Sequence, residues 1–134
     1  MLLTAIRIAH NPGFDRLVFD FSPTDRGVGA YGVPPYSIDV ASSFSGPSGQ
    51  AVTVAGNAYF RVRFQNTDAH TSAGRTTLAS SDQRPTTPLV KEVRIVEDFE
   101  ATVQAAVGLD HLACPSVLTL SGPIRVVLDF PTPP

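Results

Sequence analysis

The groups able to do chemistry in this chain are few and fall into small sets. Asp68 and His70 stand two apart in the polar stretch QNTDAHT, shortly after Asn66, and follow directly on the run YFRVRF. A carboxylate beside an imidazole suits general base chemistry, so a hydrolase built on Asp68 and His70 is one reading of this stretch. Just before it, Tyr59, Arg61 and Arg63 alternate along one face of a strand. An aromatic ring beside guanidinium groups can stack on a sugar and pair with carboxylates. Tyr59, Arg61, Arg63, Asn66, Asp68 and His70 therefore form the candidate binding set. The plainer reading is a wet strand face whose arginine stems cover the sheet.

Other sets carry less. His111 and Cys114 are spaced for metal, but a structural zinc site needs four ligands and no second Cys/His pair exists. No metal and no cofactor are expected. Glu97, Asp98 and Glu100 cluster where two apolar runs meet, and read as solvated carboxylates on a hairpin turn. Glycoside hydrolysis would need one of them desolvated. Ser48 in SGPSGQ lacks the G-x-S-x-G elbow and reads as a turn. RGVGAYG (26–32) does not join a strand to a helix, so no phosphate cradle is expected. Cys114, next to Pro115, reads as a small buried or half-buried residue. No residue is assigned as catalytic.

These groups must be positioned by strands. Leu17, Phe19 and Phe21 alternate with Arg16, Val18 and Asp20; Phe60, Val62 and Phe64 alternate with Tyr59, Arg61 and Arg63. Ile124, Val126, Leu128 and Phe130 alternate with Arg125, Val127 and Asp129. Period two marks antiparallel strands with one face on a core and one in water. Less regular strands are expected at 2–9, 36–40, 51–55, 90–96, 99–107 and 117–120, and no window shows a convincing helical stripe. Asn11-Pro12-Gly13 closes a type II hairpin. The expected fold is all-β, a two-sheet antiparallel sandwich or open barrel of about eight or nine strands. RLVFDF and RVVLDF share four identities in six. If those strands pair antiparallel, each arginine faces the other strand's aspartate.

Length and composition bound the function. A chain of 134 residues fits one domain, expected over 1–130, with PTPP (131–134) as a tail that cannot join a ladder. The formal charge of −2 argues against an electrostatic nucleic-acid partner. No apolar run is long enough for a transmembrane helix, and one cysteine excludes an internal disulfide framework. Nine of ten basic residues are arginine, as GC-rich coding would give. The 65–88 stretch is too long for an ordinary connection, which makes it the first place to look for a site.

Four segments, TAIRIAHNPGFDRLVFDF, VTVAGNAYFRVRFQNTDAHT, VKEVRIVEDFEATVQAAVGLD and VLTLSGPIRVVLDF, are spread over nearly the whole chain. Together they resemble the AMIN-like domain family of actinobacterial envelope proteins. GFDRLVFDF and SGPIRVVLDF are also similar to the first hairpin and last strand of AMIN domains proper. The resemblance implies a non-catalytic module of the cell envelope that binds peptidoglycan or localises a protein at the wall, exported and often part of a lipoprotein. An interaction module pairing with an envelope protein through an edge strand is the alternative. The opening MLLTAIRIAH carries neither a basic n-region nor a cleavage motif, so a cytoplasmic location stands beside the exported one.

Overall fold

The alternating runs become ladders. A computed structural model describes residues 1–24 and 32–133; residues 26–31 of RGVGAYG lie outside the described residues. The described residues form strands and turns without a helix. In chain order the strands are β1 (Leu2–Asn11), β2 (Phe14–Ser22), β3 (Tyr36–Ala41), β4 (Phe44–Ser45), β5 (Ala51–Val52) and β6 (Ala58–Gln65). They continue with β7 (Asp82–Gln83), β8 (Val90–Phe99), β9 (Thr102–Leu109), β10 (Ser116–Leu120) and β11 (Ile124–Pro131). The long strands are those expected, β5 covers the first two residues of the strand expected at 51–55, and β4 and β7 are two-residue pairings too short to show a period.

Two antiparallel sheets stack without closing. One has the order β1-β2-β11-β10, the other β3-β6-β9-β8-β7, and β4 pairs only with β5. The inward residues of the three alternating runs meet in one core with Leu3, Ile6, Val90, Val93, Val103, Val107 and Leu109. Phe64 is the cross-sheet knot. The rings of Phe19 and Phe21 both lie 4.9 Å from it in edge-to-face contact, an arrangement worth about 0.5–1.5 kcal/mol per pair beyond burial. Gly13, with φ of +89°, occupies the position of the first turn that demands a left-handed residue. Strand β11 reaches Pro131, and the Thr132 N–H donates to Gly13 O at 2.9 Å. The ladder thus enters the segment expected to stay outside it, because Pro131 falls at the strand's end, where its missing donor costs little.

The paired arginines and aspartates sit where the repeated motif put them, but only half of the expected partners meet. Register places Arg16 opposite Asp129 and Arg125 opposite Asp20. Arg16 makes a fork with Asp129 at 2.8 and 2.9 Å. Asp20 is instead held by Arg7 of β1 at 2.6 and 2.9 Å, and Arg125 turns back to Pro123 O. Asp20 is flanked by β1 as well as by β11, so its partner depends on strand order. Val18 and Val127, between these two rows, are buried on the outer face.

The sheets are joined by a different carboxylate. Asp15 is fully buried and accepts from the Leu89 and Val90 N–H groups at 2.8 and 3.0 Å, and it is bonded to His10 Nδ1 at 2.7 Å. Asp15→Ala leaves two buried amides without an acceptor, a cost of about 1–3 kcal/mol each. Arg16→Ala removes a half-exposed ion pair worth about 0.2–1 kcal/mol. Thermal unfolding of the two variants should show the Asp15 change to be several times more damaging.

Candidate functional site

On β6, Tyr59, Arg61 and Arg63 all point to the outer face of the five-stranded sheet. They do not share one environment. Opposite them on β9 stand Gly108, Ala106 and Gln104. The two small residues leave a hollow that a flap of chain fills. Phe44 of β4 and Val54 pack there with Ala106 and Val96, joined by Val52 and Tyr59. At Gly108 a Cβ would stand 1.8 Å from Ala55 O, so only glycine admits the flap's main chain. The Tyr59 ring packs edge-on against Phe44, and its hydroxyl donates to Gly56 O at 2.6 Å. Arg61 lies over the Phe44 ring and donates to Ser43 O at 3.1 Å. The expected open stripe is therefore corrected: Tyr59 and Arg61 are spent on the flap, and Arg63 alone of the three stays exposed.

The rest of the candidate set comes together elsewhere. Asn66 adopts φ of +51°, and the chain then runs beside the start of β1, with Asp68 N donating to Met1 O and Leu3 N to Asp68 O. Ala69 and Leu78 insert into the main core, and Thr77 N returns to Ala69 O. The 65–88 stretch is thus tied down along its first half. Its other anchor is Asp98. The β8–β9 turn falls at Glu100 and Ala101, both at positive φ, not at Glu97 and Asp98 as expected. Glu-Ala lacks the Asn-Gly chemistry that marks such turns, so the reversal left no signature. Asp98 consequently lies within the strand. Its Oδ1 accepts the Ala69 N–H at 3.0 Å, and its Oδ2 is bonded to His70 Nδ1 at 2.8 Å. On the other side of the ring, His70 Nε2 faces Asp68 Oδ1 at 3.8 Å.

Beside this cluster runs an open groove of about 310 Å³. Ala69, Leu78, Ile95 and Val96 give it an apolar floor, while Thr76, Ser81, Glu97 and Asp98 supply polar atoms and Pro47 closes the flap side. Glu97 also accepts from Gln104 Nε2 at 2.9 Å, in the same cross-strand row as exposed Arg63. Glu97 and Asp98, expected to be merely solvated, are thus built into β8, while Glu100 is exposed in the turn as expected. Ser48 lies in the 46–50 turn with its hydroxyl on Gln50, as a turn residue should. His111 pairs with neighbouring Asp110. Cys114 is exposed, not buried, because it falls in the connection before β10.

One titratable pair escaped the sequence. Glu92 looks like an outward charge in VKEVRIV, yet it is fully buried and accepts the Ala55 N–H at 2.7 Å, anchoring the flap. Its Oε2 makes no standard hydrogen bond, and Arg84 Nε is 3.4 Å away. Burial pushes Glu92 up, but the bonds from Asp82 and Ala55 and the charge of Arg84 outweigh it and hold the group below the usual glutamate value. Asp82 shifts the other way, raised by its hydrogen bond to Glu92, by desolvation and by the Glu92 charge. A raised carboxyl contributes stability that is complete below its unfolded pKa and is lost as pH climbs through its folded one. Lowered Glu92 contributes above 4.5 and loses that as pH falls. Asp82→Asn, which carries a permanent donor, should therefore remove the stability loss that the wild type shows from pH 3.8 up through the raised Asp82 value. Thermal midpoints across that range check the difference in slope.

No curated protein and no solved structure matches the chain. The model of the AMIN-like domain matches residues 1–132, from the first strand through the end of β11. The chain belongs to the AMIN-like domain family.

Proposed function

We propose that this AMIN-like domain is a non-catalytic module of the extracytoplasmic envelope that holds cell-wall polymer in the groove along β8. The observation that carries the reading is the make-up of that groove, an apolar floor bordered by hydroxyl and carboxylate groups. Sugars present apolar faces and polar edges, and the muropeptide adds amides and amines that the Glu97 and Asp98 side can meet. Exposed Arg63, in the same cross-strand row as Glu97 and two strands across from it, offers a fork for a peptide carboxylate. Tyr59 has no part in this version of the site, since its ring is held by the flap.

A second reading rests on the sheet edges. Val117 and Leu118 on edge strand β10 are 42% and 49% exposed, and Val40 on edge strand β3 is 62% exposed. Apolar side chains on an edge suit strand addition by an envelope protein.

Co-sedimentation with purified sacculi tests the first reading. The wild type should pellet with the wall, Ser81→Trp should fill the groove and lower retention about tenfold or more, a loss of 1.4 kcal/mol of contact, and Arg63→Ala should lower it less. Equal retention of all three would move the site away from the groove. If the wild type fails to pellet but associates in a concentration-dependent way, the edge reading takes over. Turnover of wall polymer by the purified domain would replace both with the hydrolase that Asp68 and His70 suggest.

A further inference from the structure

We infer that two copies of this chain pair edge to edge through β10, joining their four-stranded sheets into one across a two-fold axis at Leu118. Among the described residues the sandwich is closed on one side only. At the β1 edge, Leu3 N donates to Asp68 O, Thr77 Oγ1 to Leu3 O and Gln83 Nε2 to Ile6 O, so the 65–88 stretch occupies it. Gln83 thereby sets β7 against β1, and the ring of Phe60 sets β6 against Phe130 of β11. The strand orders then leave β3 and β10 together on the opposite side. Tyr36 and Val40 stand opposite Phe64 and Phe60 of β6, and Val117 stands opposite Leu128 of β11, so all three share the inward face with core residues. Yet each is 40% exposed or more, because no described strand lies beyond them.

The composition of β10 selects a copy of itself as the occupant. Edges are ordinarily blunted by charge, proline or a bulge. Ser116–Leu120 holds no charged residue and no proline, and it pairs with β11 without a register shift. By contrast, β1 carries Arg7 and a bulge, and β3 carries Asp39. Two-fold pairing brings the charges of a strand toward their own copies, a penalty that an uncharged strand avoids. Because side chains alternate, the axis must pass through a residue if both copies are to keep their inward faces on one side. A five-residue strand overlaps fully when that residue is the middle one, Leu118. Val117 then meets Thr119 of the second copy, a β-branched pair on the inward face. On the outer face Leu118 ends a row begun by Val18 and Val127, which are buried while Leu118 is half exposed. The axis joins that row to its copy. Ser116 falls opposite Leu120, which sets the Asp129 row of one copy in line with the Arg125 row of the other, opposite in sign. The pairing gives the edge of the second reading a definite occupant and rests on that reading, whereas the wall-binding reading is independent of it.

Sedimentation velocity of the purified chain tests the pairing. A strand-to-strand contact of this length belongs to the small, transient class of interface, so the series runs from micromolar to millimolar chain. The wild type should pass from monomer to dimer and stop there, since a two-fold axis closes the assembly. Leu118→Arg sets like charges face to face and should weaken association about tenfold or more, with its thermal midpoint kept because Leu118 is half exposed. Phe99→Arg, at an exposed apolar residue on the end of β8, should associate as the wild type does. In a Cys114→Ser background, Leu118→Cys should give a disulfide-linked dimer with oxidised glutathione, because opposed residues of an antiparallel pair stand about 4.5–5.5 Å apart at Cα. Phe99→Cys in that background should not. Assembly beyond the dimer, full association of Leu118→Arg, or equal cross-linking of Phe99→Cys would each overturn the pairing, as would a monomer at every concentration. In that last case a synthetic peptide of residues 115–121 separates the two failures. Shifts of the β10 amide resonances would keep the edge open to other strands, and their absence would remove the edge reading as well.

Discussion

A carboxylate with no solvent exposure, Asp15 on β2, takes up two backbone amides at the start of β8 in the opposite sheet. Almost everything distinctive about the molecule depends on where β8 begins. Once Leu89 and Val90 are fixed, Glu92 faces the flap, Val96 floors the outer cluster and Asp98 meets the chain coming off β6. A one-residue slip would send each of these side chains to the other face. Burying an ionised group is expensive unless its hydrogen-bonding capacity is met, and Asp15 satisfies that condition with two amides and His10. The sandwich is therefore registered by a polar contact and filled by an apolar core.

The two faces of the five-stranded sheet are covered by different means. The inner face packs large side chains, with Phe64 under the rings of Phe19 and Phe21. The outer face is small along β9, where Ala106 and Gly108 make room for Phe44 and Val54. This asymmetry explains the fate of the arginines. Arg61 lies against the flap and finds a ring and a carbonyl, whereas Arg63, one pleat further along between Gln104 of β9 and Ser37 of β3, stays exposed.

Much of the frame was legible because period two is a strong signal over eight residues and alternation alone sorts inside from outside. Register was legible at one place: the repeated Arg-to-Asp spacing put Arg16 opposite Asp129. The partner of Asp20 was not, since a single strand does not disclose which two strands flank it. The turn at Glu100 and Ala101 hid because neither residue is a turn former, and β4 and β7 hid because a two-residue pairing has no period, whereas β5 falls inside the strand expected at 51–55. Asp68, His70 and Asp98 were each singled out, but in separate groups. Their meeting depends on the path of the 65–88 stretch, which is set by Ala69 and Leu78 entering the core and not by any local preference. Glu92 was invisible for a related reason: a charged residue in an alternating strand looks exposed until something covers that face.

The crossing at Gly108 has a consequence for how the outer layer can vary. There the flap touches the sheet main chain on main chain, with Ala55 O occupying the place of an absent Cβ. Such a contact has no side chain to trim or enlarge, so its spacing stays constant whatever surrounds it. Phe44, Val52 and Val54 can change volume around that pivot while the chain still passes over β9 at the same point. The flap is in effect an interchangeable cover on a fixed hinge pin, and the groove that Pro47 borders takes its shape from the cover.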